Sequence, residues 1–247
     1  MFKTRRVSRT DIYHVMIRGI NHEKVFGNDF YKHVIKGILY KKLEDKNVTI
    51  MAYCIMDTHL HLLIKASIEE MSLYMSRVEN AYARFYNKSL GRNGHVFQNR
   101  YKSECVEDER YFYCCLKYIY KNPMKAGICK NIDEYEFSSL YEINRKKLFL
   151  LNEQIIKYVS LNEIDHVDDT SYLFSDVPEE IAMQKIAILK RILYKYMEIY
   201  DLHSIFQIYE KYTVLDQICC EYKELTKEGM NRVRCMVLQY ILNEQCA

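Results

Sequence analysis

Two histidines one residue apart, His59-Leu60-His61, are the side chains best spaced to do chemistry in this chain. Apolar residues precede them (Ile50 to Ile55) and follow them (Leu62 to Ile64), with Met56-Asp57-Thr58 between. The segment reads as strand, tight turn, strand. Side chains alternate along a strand, so both imidazoles leave one face. Two adjacent imidazoles make half of a divalent-metal site, although a His-x-His pair on a strand also occurs as a surface or internally satisfied pair. A second pairing is Tyr118 and Asn122, four apart and so on one face of a helix. Together they present a phenol able to attack and an amide oxygen able to ligate Mg²⁺ or Mn²⁺ beside imidazole. With 23 tyrosines in the chain, spacing alone leaves Tyr118 open to a plain core role.

A third set is basic. Arg84, Lys88, Arg92, Arg100 and Lys102 are interleaved with Phe85, Tyr86, Phe97 and Tyr101. Basic grooves with aromatic platforms suit single-stranded nucleic acid; the alternative is a solvated helix face over core aromatics. Arg18 and Lys121 are further basic candidates. His95 and His14 read as phosphate contacts or, at least as well, as structural residues.

These groups need rigid elements to hold them. Asp11 to Ile17 reads as a strand closed by Arg18-Gly19. Asn28-Asp29 caps a helix to about Lys42, with Phe30, Val34, Ile38 and Leu39 on one face. Val48 to Ile55 and His59 to Ile64 pair as a hairpin. Ser67-Ile68-Glu69-Glu70 is a capping box. The helix it opens buries Met71, Tyr74, Met75, Val78, Tyr82 and Phe85 and ends near Lys88 to Gly91. Gly94 to Phe97 and Ser103 to Val106 are short extended candidates. Glu107-Asp108-Glu109 puts negative charge at the start of a third helix, expected to stop near Asn122 because Pro123 follows. The resulting order, βαββαβ followed by the third helix, is an α+β fold of ferredoxin or RRM type. Its helices lie on one face of an antiparallel sheet, and the other face stays open for a ligand.

The charge is segregated. Residues 1–147 carry 26 Lys+Arg against 17 Asp+Glu, and residues 148–247 carry 10 against 16. The first part suits a polyanion and the second does not. The shift near Arg145-Lys146-Lys147 places a domain break there, with 1–147 catalytic and 148–247 a mostly helical extension. That extension includes a helix opened by Pro178-Glu179-Glu180 and another over Met230 to Leu242. A helix-turn-helix within Gln217 to Leu242, with Gly229 near its turn, competes there with a packing or self-association module. Nine cysteines with no C-x-x-C suit reduced thiols in a cytoplasmic protein. No apolar run is long enough to span a membrane, and no export signal core follows the basic N-terminus.

Five segments in order resemble the single-tyrosine HUH transposases, the insertion-sequence transposases and their REP-associated relatives. They are Tyr13-His14-Val15 with Arg18-Gly19 and Asn21; Ala52 to Met56 leading into His59-Leu60-His61-Leu62-Leu63-Ile64; Gly94 to Ser103; Tyr118 to Gly127; and Phe137-Ser138-Ser139-Leu140-Tyr141, with Phe where the family has Trp. The resemblance covers about the first 145 residues. It implies that His59 and His61 are metal ligands, Asn122 the third ligand and Tyr118 the nucleophile. The implied substrate is single-stranded DNA carrying a hairpin, cut through a 5′-phosphotyrosine with Mg²⁺ or Mn²⁺. A homodimer is one of the family's arrangements. Asp57-Thr58 stand where the family usually has Pro-Asn, which puts a negative charge near the metal and leaves a second reading open: a domesticated DNA-binding protein that no longer cuts. A metal-dependent hydrolase is a further rival, but it would need another ligand and a general base, and it gives Tyr118 no role.

Overall fold

The computed structural model describes residues 5–43, 47–151, 164 and 178–243. The chain forms two compact units, Met1–Val167 and Asp168–Ala247. This division falls after the charge shift at 145–147. The element order in the first unit is β1 (Ile12–Arg18), a short 3-10 turn (Ile20–His22), α1 (Asp29–Lys42), β2 (Thr49–Ile55), β3 (His59–Lys65), α2 (Ile68–Leu90), β4 (Lys102–Cys105), α3 (Glu109–Lys125) and α4 (Ser139–Asn144). The four strands form one antiparallel sheet in the order β2-β3-β1-β4. This is the expected α+β topology. Gly94 to Phe97 is no strand; it contributes one isolated bridge, Gly19 to Phe97.

Local chemistry sets the helix starts. The Asn28 side chain accepts from the Tyr31 N–H, Ser67 from Glu70 and Asp108 from Tyr111, each satisfying an orphan donor of the first turn. The end of α3 departs from expectation. Pro123 lies inside the helix, which continues to Lys125. Gly127 makes the stop: at φ +69° its N–H reaches the Met124 carbonyl, and the Ile128 N–H reaches the Pro123 carbonyl. That is a Schellman ending, which needs the left-handed backbone glycine adopts at no steric cost.

Two buried stripes also differ. On α1 the buried residues are Lys32, Ile35 and Leu39, while Phe30 is 60% exposed. Lys32 is drawn in by Asp57, 2.8 Å away, and by the ring of Phe137 at 5.1 Å. On α2 it is Tyr86, not Phe85, that completes the buried stripe.

Strand pairing sorts the sheet residues. Met16 stands opposite His61, Arg18 opposite His59, and Cys54 opposite His61 on the other side. His14, Met16, Arg18, Cys54, His59 and His61 therefore share a face. Tyr13, Val15, Ile17, Tyr53, Leu60, Leu62 and Ile64 point the other way and are fully buried. Lys36 of α1 lies over the Tyr53 ring on that side. The histidine face was expected to stay open, but α3 packs across it, setting the Tyr118 ring against His14 and His61. The chain after α3 pins this layer to the sheet edge. Ile55 N–H donates to the Phe137 carbonyl, Tyr53 N–H donates to Ser139 Oγ, and the Tyr120 hydroxyl lies 3.0 Å from the same Oγ.

The second unit contains α5 (Pro178–Ile199), α6 (Phe206–Glu210), α7 (Tyr212–Thr226) and α8 (Met230–Asn243). Its core gathers Ile188, Ile192, Leu193, Ile218, Tyr222, Val233, Val237 and Ile241. Residues 227–229 join α7 to α8. Among the described residues no helix is long and apolar enough to cross a membrane.

Candidate active site

His59 opens β3, and His61 is two residues on. Their rings are 4.8 Å apart, centre to centre. His59 is partly exposed; His61 is fully buried. Each has its Nδ1 engaged. His59 Nδ1 lies 2.9 Å from Thr58 Oγ1, and His61 Nδ1 lies 3.0 Å from His14 Nε2. His61 Nε2 is buried without a hydrogen-bond partner, an arrangement rarely tolerated unless the atom has another use. Burial pushes the His61 imidazole well below its ordinary range, helped by the charges of His59, His14, Arg18 and Lys125. Burial likewise pushes His14 down to about 3, with Lys102 adding to it. Both rings are therefore neutral at pH 7, and neutral imidazole is the form that ligates a metal.

Tyr118 and Asn122 project from α3, one turn apart. The Tyr118 ring stands edge-on to His61 at 5.3 Å and to His14 at 5.9 Å. Both contacts lie within one chain. The Asn122 Nδ2 donates to the Tyr118 main-chain carbonyl at 2.8 Å, and its Oδ1 lies 3.5 Å from His59 Nε2. A carbonyl can only accept, so the nitrogen must face it and the oxygen must face the histidine.

The donor set fits a divalent cation. Donors about 2.1 Å from one ion stand about 3.0–3.5 Å apart at octahedral to tetrahedral angles, and His59 Nε2 and Asn122 Oδ1 meet that spacing. Among the described residues no three His, Cys, Asp or Glu side chains gather as a metal group. A third protein donor could then be the Asn122 amide oxygen, an acceptable partner for Mg²⁺ or Mn²⁺. The orphaned His61 Nε2 is the remaining ring nitrogen that could face such an ion.

The Asp57-Thr58 departure is accommodated. Burial alone would raise the Asp57 carboxyl; its pairs with Lys32 and Lys24 outweigh that and hold it below the ordinary carboxylate value. Its charge is compensated rather than turned on the site. The turn is docked by Gly19 N–H to the Thr58 carbonyl and Phe26 N–H to the Asp57 carbonyl.

The basic candidates separate. Arg84, Lys88, Arg100 and Lys102 are exposed, Lys121 is half-buried, and Arg18 is buried beside His22. Arg92 is engaged by Glu23 at 2.8 Å and by the His95 carbonyl. The aromatic platforms are corrected: Tyr86 and Tyr101 are buried, and Phe85 and Phe97 join a cluster with Phe26, Tyr31 and Tyr82. Tyr86 and Tyr101 thus pack the protein instead of offering faces to bases, while Phe85 and Phe97 are partly exposed.

Three residues carry more weight than the sequence suggested. His14 and Thr58 hold the His61 and His59 rings, and the Lys125 ammonium lies 4.7 Å over the Tyr118 ring. Period two placed His14 on the face of Arg18, but only the β1–β3 pairing brings it to His61.

A His-x-His strand is thus faced by a tyrosine-bearing helix on a four-stranded antiparallel sheet. The family model described as "Transposase IS200 like" matches residues 8–122, just under half of the chain. The match takes in His59, His61, Tyr118 and Asn122. Among solved structures the chain is similar to a REP-associated tyrosine transposase bound to a REP hairpin. The identity is 16%, the coverage 60% of this chain and 88% of that one, and the TM-score 0.49. No curated protein matches the chain.

Proposed function

We propose that this chain cuts and rejoins single-stranded DNA, with Tyr118 as nucleophile and His59, His61 and Asn122 holding Mg²⁺ or Mn²⁺. The observation that carries the reading is the Tyr118 ring set against His61, with the Asn122 oxygen facing His59, all in one chain. When bound, the ion supplies positive charge against a non-bridging oxygen of the scissile phosphate. The protein supplies position. The α3 helix holds the phenol and the amide one turn apart, so nucleophile and phosphate-binding group move as one body. A free tyrosine is only about one part in a thousand phenolate at neutral pH, so attack needs a nearby cation; Lys125 sits over the ring. The Tyr118 oxygen bonds to phosphorus, the bond to the 3′ oxygen breaks, and that oxygen leaves as a hydroxyl. One phosphoester replaces another, so a 3′-hydroxyl can reverse the step without ATP. Exposed Arg100 and Lys102 lie on the strand and loop nearest β1 and would meet backbone phosphates.

The substrate class that the sequence resemblance implies is single-stranded DNA flanking a hairpin. The test is a labelled hairpin oligonucleotide with Mn²⁺. The wild-type chain is expected to form a covalent adduct stable to denaturing gel, and Tyr118→Phe is expected to form none. An adduct from Tyr118→Phe rejects the assignment, and binding without any adduct from the wild type selects the non-cleaving reading.

A further inference from the structure

His14 and His61 come from adjacent strands, β1 and β3, and are both buried. Their ring centres lie 5.2 Å apart with 22° between planes, edge to edge, and His14 Nε2 meets His61 Nδ1 at 3.0 Å. A hydrogen bond between two neutral imidazoles has two polarities. If His14 donates, the His61 proton sits on Nε2 and that atom cannot ligate. If His61 donates, its Nε2 keeps a lone pair. The orphaned His61 Nε2 distinguishes them. A buried N–H with no acceptor is costly in every state, whereas a lone pair there is satisfied once a cation binds.

We propose that His14 is a positioning residue: its Nε2 accepts from His61 Nδ1–H and fixes the tautomer that leaves His61 Nε2 open to a divalent cation. Thr58 Oγ1 likewise contacts His59 Nδ1, at 2.9 Å. Both ligating rings are then set from behind, the usual way an outer partner orients a metal-bound histidine. This rests on the metal reading above.

The experiment measures Mn²⁺ binding to the full chain by calorimetry. His14→Gln places an acceptor oxygen near the lost Nε2; His14→Leu does not. His14→Leu is expected to weaken Mn²⁺ binding roughly 10–100-fold, the range for such partners, and His14→Gln to restore most of it. Melting in EDTA checks that both variants fold. Should His14→Leu bind like wild type, or His14→Gln fail as His14→Leu does, the proposal is overturned. Retained binding in His59→Ala would instead overturn the metal reading itself. Nitrogen-15 NMR of the metal-free wild type gives an answer independent of any variant. His61 protonated at Nδ1 supports the proposal, and His61 protonated at Nε2 contradicts it.

Discussion

The Asn122 side chain donates to the main-chain carbonyl of Tyr118, one turn earlier on α3, at 2.8 Å. This bond turns the amide oxygen toward His59 and ties the proposed ligand to the backbone of the proposed nucleophile. Asn122→Leu removes both the oxygen and the donor. Mn²⁺ affinity is expected to fall at least tenfold, with a loss of about 1 kcal/mol in stability for the broken hydrogen bond. Calorimetry and thermal unfolding measure the two. Unchanged affinity would remove Asn122 from the ligand set.

Lys125 places its ammonium over the Tyr118 ring at 4.7 Å. A cation there favours negative charge developing on the phenol. Lys125→Met should slow cleavage about tenfold while Mn²⁺ binds no more weakly, because a cation near His61 has also gone. Single-turnover rates with saturating DNA report the first, calorimetry the second.

Asp57 is paired with Lys32, whose side chain is only 8% exposed. Asp57→Asn leaves that ammonium buried without its counter-charge, and a loss of about 3 kcal/mol is expected. Asp57 has a depressed carboxyl value. Its contribution is therefore present above the unfolded value of 3.8 and lost as pH falls below it. The melting difference between Asp57→Asn and wild type should be full at pH 6 and shrink toward pH 3. Mn²⁺ affinity should change less than about threefold, since the charge is already compensated; a larger change would mean the Asp57 charge reaches the site.

Glu79 on α2 has one carboxylate oxygen buried without a partner. Burial raises its carboxyl to about 7, against the pull of the Tyr101 N–H, Arg5 and Arg100. The folded state then binds this proton more tightly than the unfolded chain, where the value is 4.5. Ionisation above pH 7 destabilises, and the penalty fades as pH drops from 7 toward 4.5. Glu79→Gln should melt higher than wild type at pH 8, with the gap closing by pH 5. A gap independent of pH would rule out Glu79 as its source.

Much of the site was legible because it rests on short-range periodicity. Two residues apart on a strand put His59 and His61 on one face, and four apart on a helix put Tyr118 beside Asn122. What needed the structure was long-range. No local pattern says that β1 pairs with β3, so His14 read as a phosphate contact or a structural residue and not as a partner of His61. Nor does composition say that α3 crosses the histidine face, which is why that face was expected to be open. Tyr86 and Tyr101 read as stacking platforms because a tyrosine next to an arginine looks alike in a groove and in a core. Pro123 was given too much weight as a helix stop: in the last turn it forfeits one hydrogen bond, and the Gly127 ending makes good the carbonyls beyond it.

The most direct test of the central claim is to digest the protein–DNA adduct and map the phosphotyrosine by mass spectrometry. With 23 tyrosines available, the modified one identifies the nucleophile without recourse to mutants. The account requires a 5′-phosphate linked to Tyr118 and to no other tyrosine. A linkage at another residue, or Mn²⁺-dependent cleavage that leaves no covalent linkage, would contradict it.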